Sequence, residues 1–329
     1  MRIDYLKYLK CPLSSESLNI EIKQKAENGD IIEGVLFSSK KRYPIIDGIP
    51  RFIFENEKES KNTVEAFGYQ WKKTKEFSMN YGINEEYFNN YFYPMDLNKL
   101  SGKIVLDAGC GNGRLMELVK KYNPKLIIGV DYSDAVELAY ERFRNKEGVL
   151  IIQADLLNLP LKDDICDVIY SLGVIHHIKY PKKAIKSLID ILKGNGIMHI
   201  WVYSREGNEV YLFFYNIFKK IFRRLGQKQK WFISGIFTYL LYPYIIICVV
   251  FKKLFKKSFF IMQDYFCFIY KLGFKIIRLI IYDQINPEIA YYPSKNQLID
   301  WFSDNRIKIF HLDMRTNNSW RVGVEKSRN

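Results

Sequence analysis

Three apolar runs of strand length in the middle of the chain each end in an aspartate, at a constant interval. KIVLDAG carries Asp107, LIIGVDYS Asp131 and VLIIQADLL Asp155, 24 residues apart in both steps. Between them stand RLMELVKKY and AVELAYERF, whose apolar residues have helical spacing. The alternation continues through DVIYSLGV, the helical KAIKSLIDIL and GIMHIWVYS. Strands alternating with helices of this length predict a parallel, doubly wound α/β sheet over 103–204. Ligands of such sheets lie outside the carboxyl ends of the strands, so the three acids are expected to share one crevice.

The first acid leads into VLDAGCGNGR (105–114), where three glycines alternate with Cys110 and Asn112. That much bare backbone lets a ligand approach the main chain closely. A phosphate-binding loop would carry Lys or Arg beside it and avoid this negative charge. A dinucleotide loop reads G-x-G-x-x-G and presents a helix N-terminus to pyrophosphate; here the order is G-x-G-x-G behind an acid. Asp107 suits a cationic ammonium or sulfonium group. Asp131 suits a ribose diol, since one carboxylate accepts two hydroxyl hydrogen bonds. Asp155 suits the exocyclic amino group of adenine. Amino acid, ribose and adenine in that order describe S-adenosylmethionine.

These stretches resemble the class I S-adenosylmethionine-dependent methyltransferases of the type 11 kind. VLDAGCGNGR is similar to that family's first motif and GVDYS to its ribose motif. ADLLNLPLKDDICDVIYSLGVIHHI is similar to its adenine and fourth-strand motifs. The resemblance covers about residues 103–203, together with the helix KNQLIDWF, which Ser294 would cap, and the strands RIKIFHLDM and SWRVGVEK. It implies a Rossmann-like, mostly parallel seven-stranded sheet closed by a C-terminal antiparallel hairpin. It also implies a cofactor site made by Asp107 and the loop Gly109, Cys110, Gly111, Asn112 and Gly113, then Asp131 with Tyr132, Asp155 with Leu156, and Ser171 with Leu172. Cys110 occupies a position that admits a small residue and is not expected to act as a nucleophile.

Residues 1–54 read as a small β unit with tight turns, and they resemble the short zinc-ribbon-like domain that precedes some such methyltransferases. The usual CPxC is CPLS here, with Ser14 in place of the second cysteine, and no second pair follows. One thiolate does not make a tetrahedral zinc site, so no metal is expected. Residues 55–102 read as a charged linker and an aromatic helical cap, whose FGYQW (67–71) resembles a helical stretch that precedes the core in some such methyltransferases, which implies that it helps cover the cofactor. Five cysteines without paired spacing and no secretory signal point to a reducing, cytoplasmic setting.

Methyl transfer is an in-line displacement at a sulfonium carbon. The protein mainly aligns the acceptor and excludes water; a general base helps when the acceptor is a weak nucleophile such as an alcohol. The fourth strand ends in Ser171-Leu172-Gly173-Val174-Ile175-His176-His177. It lacks the Asn/Asp-Pro-Pro-aromatic quartet of base-amino methyltransferases and a Pro-Cys nucleophile. His177, and after it His176, are the candidate bases.

The segment 205–294 breaks the alternation and is aromatic, basic and helical in pattern. Residues 205–329 hold 21 Lys+Arg against 9 Asp+Glu, most of the chain's net charge of +14. Trp231–Phe251 is uncharged over 21 residues, long enough to span a bilayer. A single span would separate the final hairpin from its own sheet, which leaves a helical lid over the crevice or an interfacial membrane element. Basic clusters beside apolar runs favour a small-molecule, glycan or lipid-linked acceptor methylated at oxygen, with an anionic membrane surface as partner, nucleic acid disfavoured and a place on the inner face of the membrane. The alternatives are an RNA methyltransferase using the basic insert and a catalytically silent partner subunit.

Overall fold

The computed structural model describes residues 1–53, 68–70, 85–286 and 289–328. The expected linker 55–62 lies outside the described residues, and of FGYQW only 68–70 lie within them.

The alternation produces the expected sheet. Strands β5 (Ile104–Ala108), β6 (Leu126–Asp131), β7 (Val149–Ala154), β8 (Cys166–Leu172), β9 (Leu192–Tyr203), β10 (Ile307–Arg315) and β11 (Ser319–Lys326) lie in the order β7-β6-β5-β8-β9-β11-β10. The first five are parallel, and β11 runs antiparallel to both β9 and β10. Every residue of β5 is buried, as a central strand covered on both faces requires. Helices α2 (Arg114–Lys120), α3 (Ala135–Phe143) and α4 (Pro181–Ile191) follow β5, β6 and β8. Their apolar faces join the sheet in two clusters, one on each side. The result is the Rossmann-like core with its C-terminal antiparallel hairpin.

Four further strands extend the same sheet: β1 (Asn19–Lys25), β2 (Ile31–Phe37), β3 (Arg42–Ile46) and β4 (Ile49–Phe52). The first three pairings are antiparallel, and β4 then pairs parallel to β7, with Arg51 opposite Gln153. The turn Asp47-Gly48 has positive φ at both residues, 52° and 78°, the geometry that a two-residue hairpin favours. The N-terminal unit is therefore continuous with the core. Cys11 is buried, and its thiol lies 3.2 Å from the Tyr43 hydroxyl. Burial raises the thiol pKa, but hydrogen bonds from Ser14, Ser38 and Tyr43 outweigh it and bring the pKa down to about 7.

Helix α1 (Glu85–Phe92) precedes the core. The insert contributes α5 (Glu209–Arg224), α6 (Gln227–Phe255), α7 (Gln263–Tyr270) and α8 (Phe274–Ile285), and α9 (Lys295–Trp301) follows. The insert leaves and re-enters at one place, because Arg205 N–H donates to the Pro293 carbonyl at 3.1 Å. It has its own apolar cluster, with Ile245, Cys248, Ile269 and Ile277 at its centre. Among the described residues α6 alone is long and apolar enough to cross a membrane. A single crossing is incompatible with the pairing of Tyr203 in β9 with Ser319 in β11, since these strands flank the insert and share one sheet.

Candidate active site

The glycine loop between β5 and α2 is shaped by its neighbours. Gly109 has φ of 92°, and a Cβ there would lie 2.3 Å from Val174 Cγ2, so only glycine fits without displacing the β8 loop. Gly109 and Cys110 N–H groups donate to the Val130 carbonyl at 2.7 and 3.0 Å. This ties the loop to the end of β6. Asp131 completes the tie: its Oδ2 accepts from Gly111 N–H at 2.8 Å, and its Oδ1 from the Ser133 N–H and hydroxyl at 2.8 and 2.7 Å. Burial raises the Asp131 pKa, and these hydrogen bonds offset it only in part. Asp155 Oδ1 accepts from Leu157 N–H at 2.9 Å.

A cavity of about 890 Å³ opens at these strand ends and continues beneath the insert. Gly109, Cys110, Gly111, Asn112, Asp131, Tyr132, Asp155, Leu156, Leu172 and His177 line it, as expected from the sequence. Asp107, Gly113, Ser171 and His176 do not appear in that lining. Asp107 is 1% exposed behind the loop and accepts from the Tyr170 hydroxyl at 2.9 Å. Burial, reinforced by the charge of Asp131, pushes its pKa up to about 8. It lies behind the glycine loop at the end of a fully buried strand. Gly113 caps α2, where a Cβ would crowd Phe143 and Ala139. The Ser171 hydroxyl donates to the Ala108 carbonyl at 2.7 Å and ties β8 to β5.

The two histidines separate in role. His177 Nδ1 lies 2.8 Å from the Ile289 carbonyl. A carbonyl only accepts, so Nδ1 carries the proton and the ring's lone pair is on Nε2. Burial lowers the His177 pKa, with Asp283 working in the opposite direction, and the neutral ring prevails at pH 7. His176 is fully buried, its ring centroid 4.1 Å from that of His177 and 4.2 Å from that of Tyr203. It packs behind the wall, outside the cavity lining.

Several wall residues were not singled out from the sequence. Tyr203, at the end of β9, donates its hydroxyl to Asp283 Oδ2 at 2.7 Å, and Gln70 Nε2 donates to Asp283 Oδ1 at 3.5 Å. Tyr292 stacks on Tyr203 at 5.2 Å. The Arg315 guanidinium lies 3.7 Å from the ring centroid of Tyr91 and 4.5 Å from that of Phe268, and its Nε donates to Asn90 Oδ1 at 2.7 Å. These residues come from β9, α8, β10 and the segments around them. No short-range spacing links them; the sequence offers the tyrosines of the insert as candidates without ranking them.

Residues 106–200 match the family model described as a methyltransferase domain. The tRNA (carboxymethyluridine(34)-5-O)-methyltransferase of Arabidopsis thaliana is 34% identical over 116 residues, which are 34% of this chain and 27% of that protein. The tRNA U34 carboxymethyltransferase of Desulfotalea psychrophila is 27% identical over 121 residues, 36% of this chain and 38% of that protein. The matches thus span well under half of each relative's length. Among solved structures, an S-adenosylmethionine-dependent methyltransferase from Aquifex aeolicus aligns over 78% of this chain and 97% of its own, at 13% identity and a TM-score of 0.40.

The names of these relatives correct the expected acceptor. A small-molecule, glycan or lipid-linked acceptor, an anionic membrane partner and the disfavouring of nucleic acid do not stand, because the relatives are named for tRNA. Only part of the apolar runs behind that expectation is taken up inside the protein: Phe237, Leu241, Ile269 and Ile280 line the cavity and others form the insert's own core, while Phe232, Tyr239, Leu240 and Leu254 of α6 stay exposed. Strand order, glycine loop, strand-end acids and family match agree: this chain carries a class I S-adenosylmethionine-dependent methyltransferase domain, with S-adenosylmethionine as its cofactor.

Proposed function

We propose that this chain methylates RNA, acting on a nucleotide drawn out of the strand into the chamber under the insert. The observation that carries the reading is the continuity of the cavity. One space begins at the cofactor loop, where Asp131 and Asp155 lie, and ends among Tyr91, Trp201, Tyr203, Tyr211, Tyr265 and Tyr292. Its size is at the upper end of single-ligand pockets, which suits a cofactor and one base together. Enzymes that modify a base within a strand extrude it and hold it between aromatic side chains. Each stacked base contributes about 1–3 kcal/mol. The names of the tRNA-modifying relatives and the basic excess of the insert support the same acceptor class.

Bound S-adenosylmethionine supplies an activated methyl group on a sulfonium centre. The chain's residues do the remainder. Asp131 and the glycine loop fix the cofactor end, the insert helices exclude water, and the tyrosine wall orients the base. His177 Nε2 takes the proton when the acceptor atom is a hydroxyl oxygen. The test is transfer of labelled methyl groups from S-adenosylmethionine to bulk tRNA, followed by nuclease digestion and nucleoside mass spectrometry. The expected result is a methylated nucleoside whose formation falls roughly 10²–10⁴-fold in His177→Ala, with S-adenosylhomocysteine affinity unchanged. A loss below tenfold removes the base role from His177, and unlabelled tRNA removes the RNA reading.

A further inference from the structure

Among the described residues, three carboxylates line the cavity: Asp131, Asp155 and Asp283. Asp131 and Asp155 belong to the cofactor end. Asp283 comes from the other direction, on α8 of the insert, and stands among aromatic rings. The Tyr203 hydroxyl fixes one of its oxygens at 2.7 Å; the other has only the long contact to Gln70 at 3.5 Å. Each carboxylate oxygen offers two lone pairs, so Asp283 keeps accepting capacity toward the chamber. Burial and the Asp283 charge push the phenols of Tyr203, Tyr211 and Tyr292 upward. They stay protonated and serve as neutral donors and stacking faces. His177 feels the same charge, and both residues line the same cavity.

We infer that Asp283 is the residue that selects the base: it accepts a ring N–H from the Watson–Crick edge of the nucleobase held in the chamber. The inference rests on the RNA reading and deepens it. Flipped bases are identified through that edge. Uracil and guanine present a ring N–H there, whereas adenine and cytosine present a ring nitrogen lone pair. Set against that ring nitrogen, a carboxylate accepts from the N–H of the first pair and is repelled by the lone pair of the second. The chamber is therefore built for uridine- or guanosine-type nucleosides, and Tyr203 is the positioning residue that holds the carboxylate in its accepting orientation.

The experiment measures methyl transfer to bulk tRNA by the whole chain, with wild type, Asp283→Asn, Asp283→Glu and Tyr203→Phe in parallel. Wild type is expected to place the methyl group on a uridine- or guanosine-type nucleoside. Asp283→Asn presents donors as well as an acceptor and should lower kcat/KM for tRNA by roughly 10- to 100-fold, the discrimination that a well-placed base contact provides. Asp283→Glu should recover part of that loss. Tyr203→Phe, which removes one hydroxyl only, should raise KM more than it lowers kcat. S-adenosylhomocysteine affinity should hold in all three, which separates a lost contact from a lost fold. Label on adenosine or cytidine, or full activity in Asp283→Asn, overturns the inference while leaving the RNA reading intact. A wild type that labels no RNA overturns both.

Discussion

Asp131 sits where a buried strand ends against the glycine loop, and both of its oxygens are held by backbone N–H groups. A carboxylate so fixed is preorganised to accept a ligand's hydroxyls without first being ordered. Its neighbour in sequence pattern, Asp107, has the same spacing and the opposite fate: it is sealed behind the loop and bonded to Tyr170. Asp131→Ala should weaken S-adenosylhomocysteine binding by roughly 1–3 kcal/mol, the scale of a lost hydrogen bond to a charged group. Calorimetry that finds unchanged affinity in Asp131→Ala would show that the strand-end assignment is wrong.

Elements whose pattern is local could be read directly from the sequence. Ser294 is the clearest: its hydroxyl oxygen accepts from Gln297 N–H, the Gln297 side chain returns to the Ser294 N–H, and α9 begins there. Ser294→Ala should lower stability by about 0.5–2 kcal/mol, measured as a shift in the denaturation midpoint. An unchanged midpoint would mean that the cap is carried by Gln297 alone. The strands β5 to β11 and the glycine loop were equally legible, because period and turn chemistry are properties of neighbouring residues. The upper chamber was not. Tyr203, Asp283 and Arg315 lie dozens of residues apart and meet only after the insert folds back over the sheet. Spacing placed Asp107 at a strand end, where it stands, but its burial was not legible because it depends on what packs on both faces of β5. The apolar insert read as a lipid-facing surface since hydropathy alone does not separate residues that line the chamber, such as Leu241 and Ile269, from those that stay exposed, such as Phe232 and Leu254.

For the molecule as a whole, buried titratable groups set the acid sensitivity. His176 and His177 are held below the ordinary histidine range by burial, and His199 falls to about 4 for the same reason. The unfolded chain takes up these protons near pH 6.5, so the native state loses stability as pH falls below that value. Asp107 and Asp131 act in the opposite sense, since burial raises both and the folded state then holds protons that the unfolded state releases. Between pH 7 and pH 5 the melting temperature of cofactor-free Asp107→Asn should therefore fall more, or rise less, than that of the wild type, because one opposing group is removed. Identical profiles would contradict the raised pKa assigned to Asp107.

The central claim is that the continuous cavity delivers an RNA nucleotide to the cofactor. Its most direct test is to incubate the whole chain with methyl-labelled S-adenosylmethionine and a cell extract, then divide the products into RNA, lipid, glycan and small-molecule fractions. The account predicts label in the RNA fraction that ribonuclease releases as a methylated nucleoside. Label that resists ribonuclease and follows the lipid, glycan or small-molecule fraction would contradict it.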